Sequence, residues 1–165
     1  MKERNLDIII KEYAYDELTE EDRRLVDKAK EMTRNSYAPF SGFHVGAALL
    51  LDNGMLVGGA NQENAAFSSG TCAERSACFY VGANYPEAKI KKIAVAAWTR
   101  NGHSEGDSFE DCFQAAPISP CGHCRQALLE YEKLHGPIEV ILYGKDTVFS
   151  LPSVASLLPL CFTEF

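Results

Sequence analysis

The sequence of 165 residues has no cluster of basic residues and no long apolar run. Its 16 lysines and arginines are outnumbered by 23 acidic residues, which gives a formal net charge of −7. Polynucleotide-binding proteins gather Lys and Arg on one face, so a nucleic-acid partner is disfavoured. A membrane-spanning helix needs about 20 consecutive apolar residues. The N-terminal segment offers only Ile8-Ile9-Ile10, so we expect no membrane partner.

Internal repeats, low-complexity segments and linkers are also lacking. The hydrophobic fraction of 46% and the charged fraction of 24% are typical of a folded globular chain. Lys, Glu, Arg and Asp surround the three isoleucines near the N-terminus, which is not the pattern of a secretory signal. These features predict one domain over residues 1–165, located in the cytoplasm.

The periodicity of the apolar residues predicts alternating helices and strands. Helices are expected at 20–35, 71–82 and 119–134, with a short one at 153–158. Strands are expected at 43–51, 55–58, 92–98, 138–143 and 147–151, and Asn53-Gly54 marks a hairpin between the first two. This order predicts an α/β sandwich with a mixed sheet.

The six cysteines are the most informative residues. A chain without an export signal meets a reducing compartment, where clustered cysteines bind metal or react more often than they form disulfides. Cys121 and Cys124 form a C-x-x-C pair at one predicted helix start, and Cys72 lies at another. Helix N-termini favour thiolates. Three thiolates with one open position would make a catalytic zinc site.

The spacing alone leaves other interpretations open. A redox pair would have no need of Cys72 and is the weakest alternative. A structural zinc site would need a fourth ligand. The candidates for that ligand are His123, Cys112, Cys78 and His103.

Glu74 favours the catalytic interpretation, although it has a structural alternative. Thr71 and Glu74 fit a capping box, in which the Glu side chain binds the backbone N–H of the cap residue. A cap does not explain why a carboxylate stands two residues from the expected ligand Cys72. From there it could exchange a proton with a metal-activated water.

Several segments together resemble the cytidine deaminase family. Cys72-Ala73-Glu74-Arg75 and Pro120-Cys121-Gly122-His123-Cys124-Arg125-Gln126 resemble the zinc motifs of that family. Residues 37–48 are similar to its N-terminal segment, 61–65 to its sugar-binding loop, and 157–162 to its C-terminal end. The resemblance implies a three-layer α/β/α sandwich with a mixed sheet of roughly five strands.

The resemblance also implies a function. The chain would hydrolyse cytidine and deoxycytidine to uridine and deoxyuridine, with release of ammonia, in pyrimidine salvage. Cys72, Cys121 and Cys124 would bind one Zn²⁺ per chain, and Glu74 would be the proton shuttle. Arg75 would offset the charge of the thiolates.

The implied substrate contacts come from several segments. Asn61 and Glu63 would bind the ribose 3′-hydroxyl, and Phe43 would pack on the base beside Val45. Ala73 would also contact the substrate. Phe162 would reach in from a neighbouring subunit, as in the small homotetrameric members.

Alternatives to this function are a deaminase of a related cytosine nucleoside, such as blasticidin S, and a structural zinc or interaction module. One departure from the family is the long acidic stretch 99–116, which could cover the site, change a subunit interface or be mobile. We expect Cys112 to be a thiol rather than a ligand. Cys78 and Cys161 are expected in the core or at an interface.

Overall fold

A computed structural model describes residues 1–100 and 108–163 of the chain. The α-helices in these residues are α1 (Glu20–Met32), α2 (Ala73–Asn84) and α3 (Gly122–His135). The strands are β1 (Lys11–Tyr13), β2 (Phe43–Leu51), β3 (Leu56–Ala60), β4 (Ile90–Thr99), β5 (Glu139–Tyr143) and β6 (Val148–Leu151). A short 3₁₀ helix, Val154–Leu157, follows β6. None of the helices in the described residues is long and apolar enough to cross a membrane.

The described strands form one mixed sheet in the order β1-β6-β5-β4-β2-β3. The pair β4 and β5 is parallel, and all other neighbours are antiparallel. The mixed sheet is confirmed, with six strands where roughly five were expected, because β1 adds a strand at the edge. The sequence gives no signal for β1, since its three residues carry no alternation and are ordered only by pairing with β6.

The helices cover both faces of the sheet, which confirms three layers. Successive side chains of a strand point to opposite faces. In β2, Ala47 and Leu49 pack in the cluster that contains α2 and α3. Ala48 and Leu50 pack in the cluster that contains α1. The near-continuous apolar run of β2 follows from this burial on both faces.

Residues 108–116 of the long acidic stretch pack on the α1 side of the sheet. Phe113 is buried and forms a β-bridge with Trp98. The buried ammonium of Lys30 in α1 pairs with Glu110 and lies 5.5 Å from the centre of the Phe113 ring. A cation over an aromatic face is stabilising when it is shielded from water. This part of the stretch is therefore an ordered support for α1; residues 101–107 lie outside the described part of the chain.

Gly59 allows α2 to lie close against β3. A Cβ atom at residue 59 would stand 2.5 Å from the carbonyl oxygen of Ala73 and 2.6 Å from the amide nitrogen of Ala77. Both atoms are helix backbone, which cannot move without moving the helix. Since Ala73 belongs to the first turn of α2, this contact sets the depth at which the helix begins.

We predict that Gly59→Ala destabilises the fold by about 1–3 kcal/mol, because the new methyl group overpacks against helix backbone. Each kcal/mol lowers Tm by roughly 2–4 °C in a chain of this size. Gly58→Ala is the matched control, because the three atoms nearest to its Cβ would all belong to the flexible side chain of Met32 and not to helix backbone. Thermal unfolding followed by circular dichroism measures both. Equal losses of Tm in the two variants would contradict the prediction, because they would show that contact with the backbone of α2 is not the cause of the destabilisation.

Candidate metal centre and cavity

Three cysteine sulfurs meet where two helices begin. Cys72 is the N-cap residue of α2 and Cys121 is the N-cap residue of α3, while Cys124 lies in the first turn of α3. The Cys121 Sγ atom is 3.8 Å from the Cys72 Sγ atom and 3.5 Å from the Cys124 Sγ atom. All three sulfurs lie within 4.8 Å of one another. Two helix N-termini therefore direct partial positive charge towards one group of thiols.

The donor set fits one zinc ion with an open coordination position. Three thiolates and a fourth position left for water are the ligand set of a catalytic zinc. Among the residues that the structure describes, the cluster contains only Cys72, Cys121 and Cys124. Cys78, Cys112 and His123 do not join it, and His103 lies outside the described residues. The fourth ligand of a structural site is thus not supplied by the described candidates.

The surroundings of the sulfurs favour a thiolate at Cys72. Hydrogen bonding from the Cys124 thiol and from Arg75 lowers the pKa of the Cys72 thiol to about 5. The Arg75 Nη2 atom lies 3.9 Å from the Cys72 Sγ atom. Cys124 donates to Cys72, which raises the pKa of the Cys124 thiol. A thiolate that forms readily is a good metal ligand.

Glu74 is a buried carboxyl group beside the sulfurs. Only 3% of the residue is exposed. Burial raises the pKa of its carboxyl group, and the negative charge of Cys72 raises it further. The capping-box alternative is wrong, because the helix is capped by Cys72 and not by Thr71. Glu74 is therefore the second residue of α2, one position too early for a capping box.

A cavity of about 650 Å³ opens beside the sulfurs. Its walls come from the start of β2, the loop after β3, the first turn of α2 and the segment that precedes α3. The predicted site residues that line it are Phe43, Val45, Asn61, Glu63, Cys72, Glu74, Arg75 and Cys121. The described part of the stretch 99–116 does not line it, so this part does not cover the site.

Asn61 and Glu63 also brace the cavity wall. The Asn61 side chain accepts a hydrogen bond from the Val45 amide at 2.8 Å and donates one to the Phe43 carbonyl at 3.0 Å. The Glu63 carboxylate accepts from the Phe40 amide at 2.8 Å and from Ser41. The Ser41 hydroxyl, followed by these backbone amides, lowers the pKa of the Glu63 carboxyl group. Glu63 therefore presents an anion to the cavity.

Two predicted contact residues lie outside the cavity of their own chain. Ala73 is fully buried in the first turn of α2 and packs in the core. Phe162 is 64% exposed, and its carbonyl oxygen accepts a hydrogen bond from the Gln126 side chain at 2.8 Å.

The remaining cysteines are not in disulfides. Cys78 is buried in the core as expected, and burial raises the pKa of its thiol to about 12. Cys112 donates to the Ser108 carbonyl, away from the sulfur cluster. Cys161 is exposed in the single chain and does not pack in its core.

Arg125 is a residue of the site region whose role the sequence did not reveal. Its guanidinium binds the backbone just before Cys121 and the backbone after β6. The sequence contains a weak signal for this role, because Arg125 stands four residues after Cys121 and so lies one helical turn above it.

Known proteins with related sequences and structures support this arrangement. The family model for the cytidine and deoxycytidylate deaminase zinc-binding region matches residues 19–135. The cytidine deaminase of Sporosarcina psychrophila is 36% identical over 141 residues, which are 86% of this chain and 90% of that protein. The cytidine deaminase of Halalkalibacterium halodurans is 34% identical over 84% of this chain and 92% of that protein.

A solved structure gives the same result at the level of the fold. The crystal structure of cytidine deaminase from Burkholderia pseudomallei superposes with a TM-score of 0.68 at 34% identity, covering 88% of this chain and 100% of that chain. The range matched by the family model includes the three clustered cysteines and Glu74. The chain belongs to the cytidine deaminase family of zinc-dependent hydrolases.

Proposed function

We propose that the chain catalyses the hydrolytic deamination of cytidine and deoxycytidine to uridine and deoxyuridine, with release of ammonia. The observation that carries this proposal is the buried Glu74 carboxyl group, placed between a three-thiol cluster and a cavity of about 650 Å³. A structural zinc module has no use for such a carboxyl group facing an open cavity.

Cys72, Cys121 and Cys124 would hold the zinc ion. When bound there, zinc supplies Lewis acidity that makes a water molecule acidic near neutral pH. Arg75 withdraws charge from the Cys72 sulfur, and the two helix N-termini act in the same direction. These contacts offset the excess negative charge that three thiolates bring to the site.

Glu74 moves the proton. Its carboxylate takes a proton from the attacking water, and its raised pKa lets it hold that proton inside the site. It then passes the proton to N3 of the cytosine ring as the water oxygen bonds to C4. Glu74 next carries the second proton, from the new C4 hydroxyl, to the 4-amino group, which leaves as ammonia when the C4–N bond breaks. One water is consumed and one ammonia is released, so the atoms balance and Glu74 is regenerated.

The polar groups at the other end of the cavity suit a sugar hydroxyl. Asn61 uses one of its two N–H donors on Phe43, which leaves the second for the hydroxyl oxygen. The Glu63 carboxylate would accept the hydroxyl proton. Phe43 offers an aromatic face for the base, next to Val45.

The charges of the cavity favour a free nucleoside over a nucleotide. Among the described residues that line it, Arg75 is the only basic one, and it is engaged with Cys72. Glu63 is anionic and stands where a sugar would lie. A phosphate group would meet repulsion there and would find no cluster of cationic donors.

We further propose a cytoplasmic enzyme of pyrimidine salvage that works as a homotetramer. Thiols that must stay reduced to bind zinc suit a reducing compartment. The backbone at Phe162 is fixed to α3 while its side chain is largely exposed. This exposed ring would complete the cavity of a neighbouring subunit.

An ultraviolet assay of the purified protein tests the substrate. We expect both cytidine and deoxycytidine to be converted, with cytosine and deoxycytidine monophosphate converted far more slowly. Blasticidin S is included as the alternative nucleoside. Preferential turnover of blasticidin S or of the monophosphate would refute the proposed substrate.

We predict that Glu74→Gln lowers kcat by about 10²–10⁴-fold, the usual contribution of a general acid–base residue. The glutamine amide has the same shape as the carboxylate but carries no charge. Its burial therefore costs less free energy than burial of a carboxylate, and Tm should not fall. Metal analysis should still find about one zinc per chain. Activity near that of the native protein in a zinc-loaded variant would exclude Glu74 as the proton carrier.

Subunit mixing tests whether Phe162 serves a neighbour. Phe162→Ala and Glu74→Gln should each be nearly inactive alone. After exchange at equal amounts, about a quarter of the sites combine an intact Glu74 with an intact Phe162 from the adjacent subunit. We expect activity to recover to that extent. Mass spectrometry of the assembled tetramers is the control, and complete exchange without recovery would show that Phe162 acts elsewhere.

A further inference from the structure

The Arg125 side chain joins two parts of the backbone that are distant in sequence. Its Nε atom donates to the Pro120 carbonyl at 2.8 Å, and its Nη2 atom donates to the Ser119 hydroxyl at 2.9 Å. Its Nη1 atom donates to the Leu157 carbonyl at 2.8 Å. The first two contacts hold the segment that leads into Cys121. The third holds the end of the 3₁₀ helix that leads into the C-terminal tail, residues 158–163.

The backbone of Arg125 strengthens the first attachment. Its amide donates to the Cys121 carbonyl at 3.0 Å. The carbonyls of Pro120 and Cys121, which are adjacent in the chain, are therefore both bound by one residue. These carbonyls belong to the two planar peptide units that meet at the Cys121 Cα atom, so holding both units also holds the position of that atom.

Helix α3 holds the C-terminal segment at several points. Glu132 accepts hydrogen bonds from the amides of Val154 and Ala155, at 2.7 Å and 3.1 Å, and so caps the start of the 3₁₀ helix. Arg125 binds the Leu157 carbonyl at the end of that helix. Beyond it, the Lys133 Nζ atom binds the Thr163 carbonyl at 2.6 Å. The tail is thus laid along α3 by contacts to its backbone.

The acceptors of the hydrogen bonds from Arg125 indicate the role of its positive charge. No carboxylate in the described part of the chain lies within ion-pair distance of Arg125. Its three partners are two carbonyls and a hydroxyl, all neutral, and the two contacts with carbonyls are partly shielded from water. Hydrogen bonds from a charged donor are about twice as strong as neutral ones. The charge therefore serves to hold backbone rather than to neutralise an acid.

We propose that Arg125 is a positioning residue that couples the metal-ligand segment 119–124 to the C-terminal tail 158–163. A movement of the tail at Leu157 is transmitted through one planar guanidinium to the carbonyl before Cys121. The functional consequence rests on the function proposed above, because it takes Phe162 in the tail to complete a neighbouring site. The position of Phe162 in the cavity of the neighbouring subunit and the geometry of the zinc ligands in the subunit that carries this Phe162 then depend on each other.

Arg125→Gln tests the coupling in the zinc-loaded protein. The first readout is amide hydrogen exchange of peptides from 119–124 and from 158–163. The second readout is the rate of zinc release to an excess of chelator. We expect faster exchange in both segments and about tenfold faster zinc release, which is the lower end of the effect of residues that orient metal ligands.

Lys133→Gln is the matched control, because Lys133 binds the tail only at Thr163 among the described residues and the variant leaves Arg125 bound to Leu157. It should speed exchange in 158–163 and, since Leu157 stays held, leave zinc release unchanged. Arg125→Lys retains the charge but cannot make three contacts from a planar group, so it should show the defect of Arg125→Gln in reduced form. If Arg125→Gln does not fold, Arg125→Lys decides on the same two readouts.

Two results would overturn the proposal. One is faster exchange in a single segment with native zinc release in the Arg125 variants. The other is an equal acceleration of zinc release by Lys133→Gln. Neither readout requires turnover of a nucleoside, so a chain that failed to deaminate cytidine would refute the proposed function and leave the coupling to be judged separately.

Discussion

The site exists because α2 and α3 begin at the same point on one face of the sheet. Three sulfurs within 4.8 Å of one another leave no room for either helix to shift by a residue. The depth of α2 is set by its backbone contact with Gly59. At the start of α3, Arg125 binds the Pro120 and Cys121 carbonyls, which lie on either side of the Cys121 Cα atom. Helices that shared only a hydrophobic layer would not be held this closely, since side-chain packing tolerates small shifts.

The same constraint explains which features could be predicted from the sequence. Cys72, Cys121 and Cys124 were found because a zinc ligand set imposes a residue type and a spacing. Long apolar patterns gave the helices and five of the six strands. β1 was missed because a strand of three residues is ordered by its partner β6 and not by its own composition. The capping box failed by one residue, which is within the usual uncertainty of a helix boundary.

The contacts that shape the cavity could not be predicted from local sequence patterns, for a different reason. Asn61 and Glu63 were expected to bind substrate, and they also fix the backbone from Phe40 to Val45. These hydrogen bonds join residues that are 16 to 23 positions apart, so no short motif announces them. Asn61 and Glu63 each hold the cavity wall with one part of the side chain and face the cavity with another part. Their side chains are therefore already oriented before substrate binds. Such preorganisation reduces the cost of binding.

The net charge of −7 and the field inside the cavity have different origins. Glu110, a described acidic residue of the long stretch, stands on the α1 side of the sheet, where it pairs with Lys30. Charges farther away than the screening length of about 8 Å at physiological ionic strength contribute little to the cavity. The local balance is set instead by the thiols, Glu63 and Glu74 against Arg75 and two helix N-termini. Among the described residues that line the sugar end of the cavity, none is cationic, and this local balance favours a neutral substrate independently of the overall acidity of the chain.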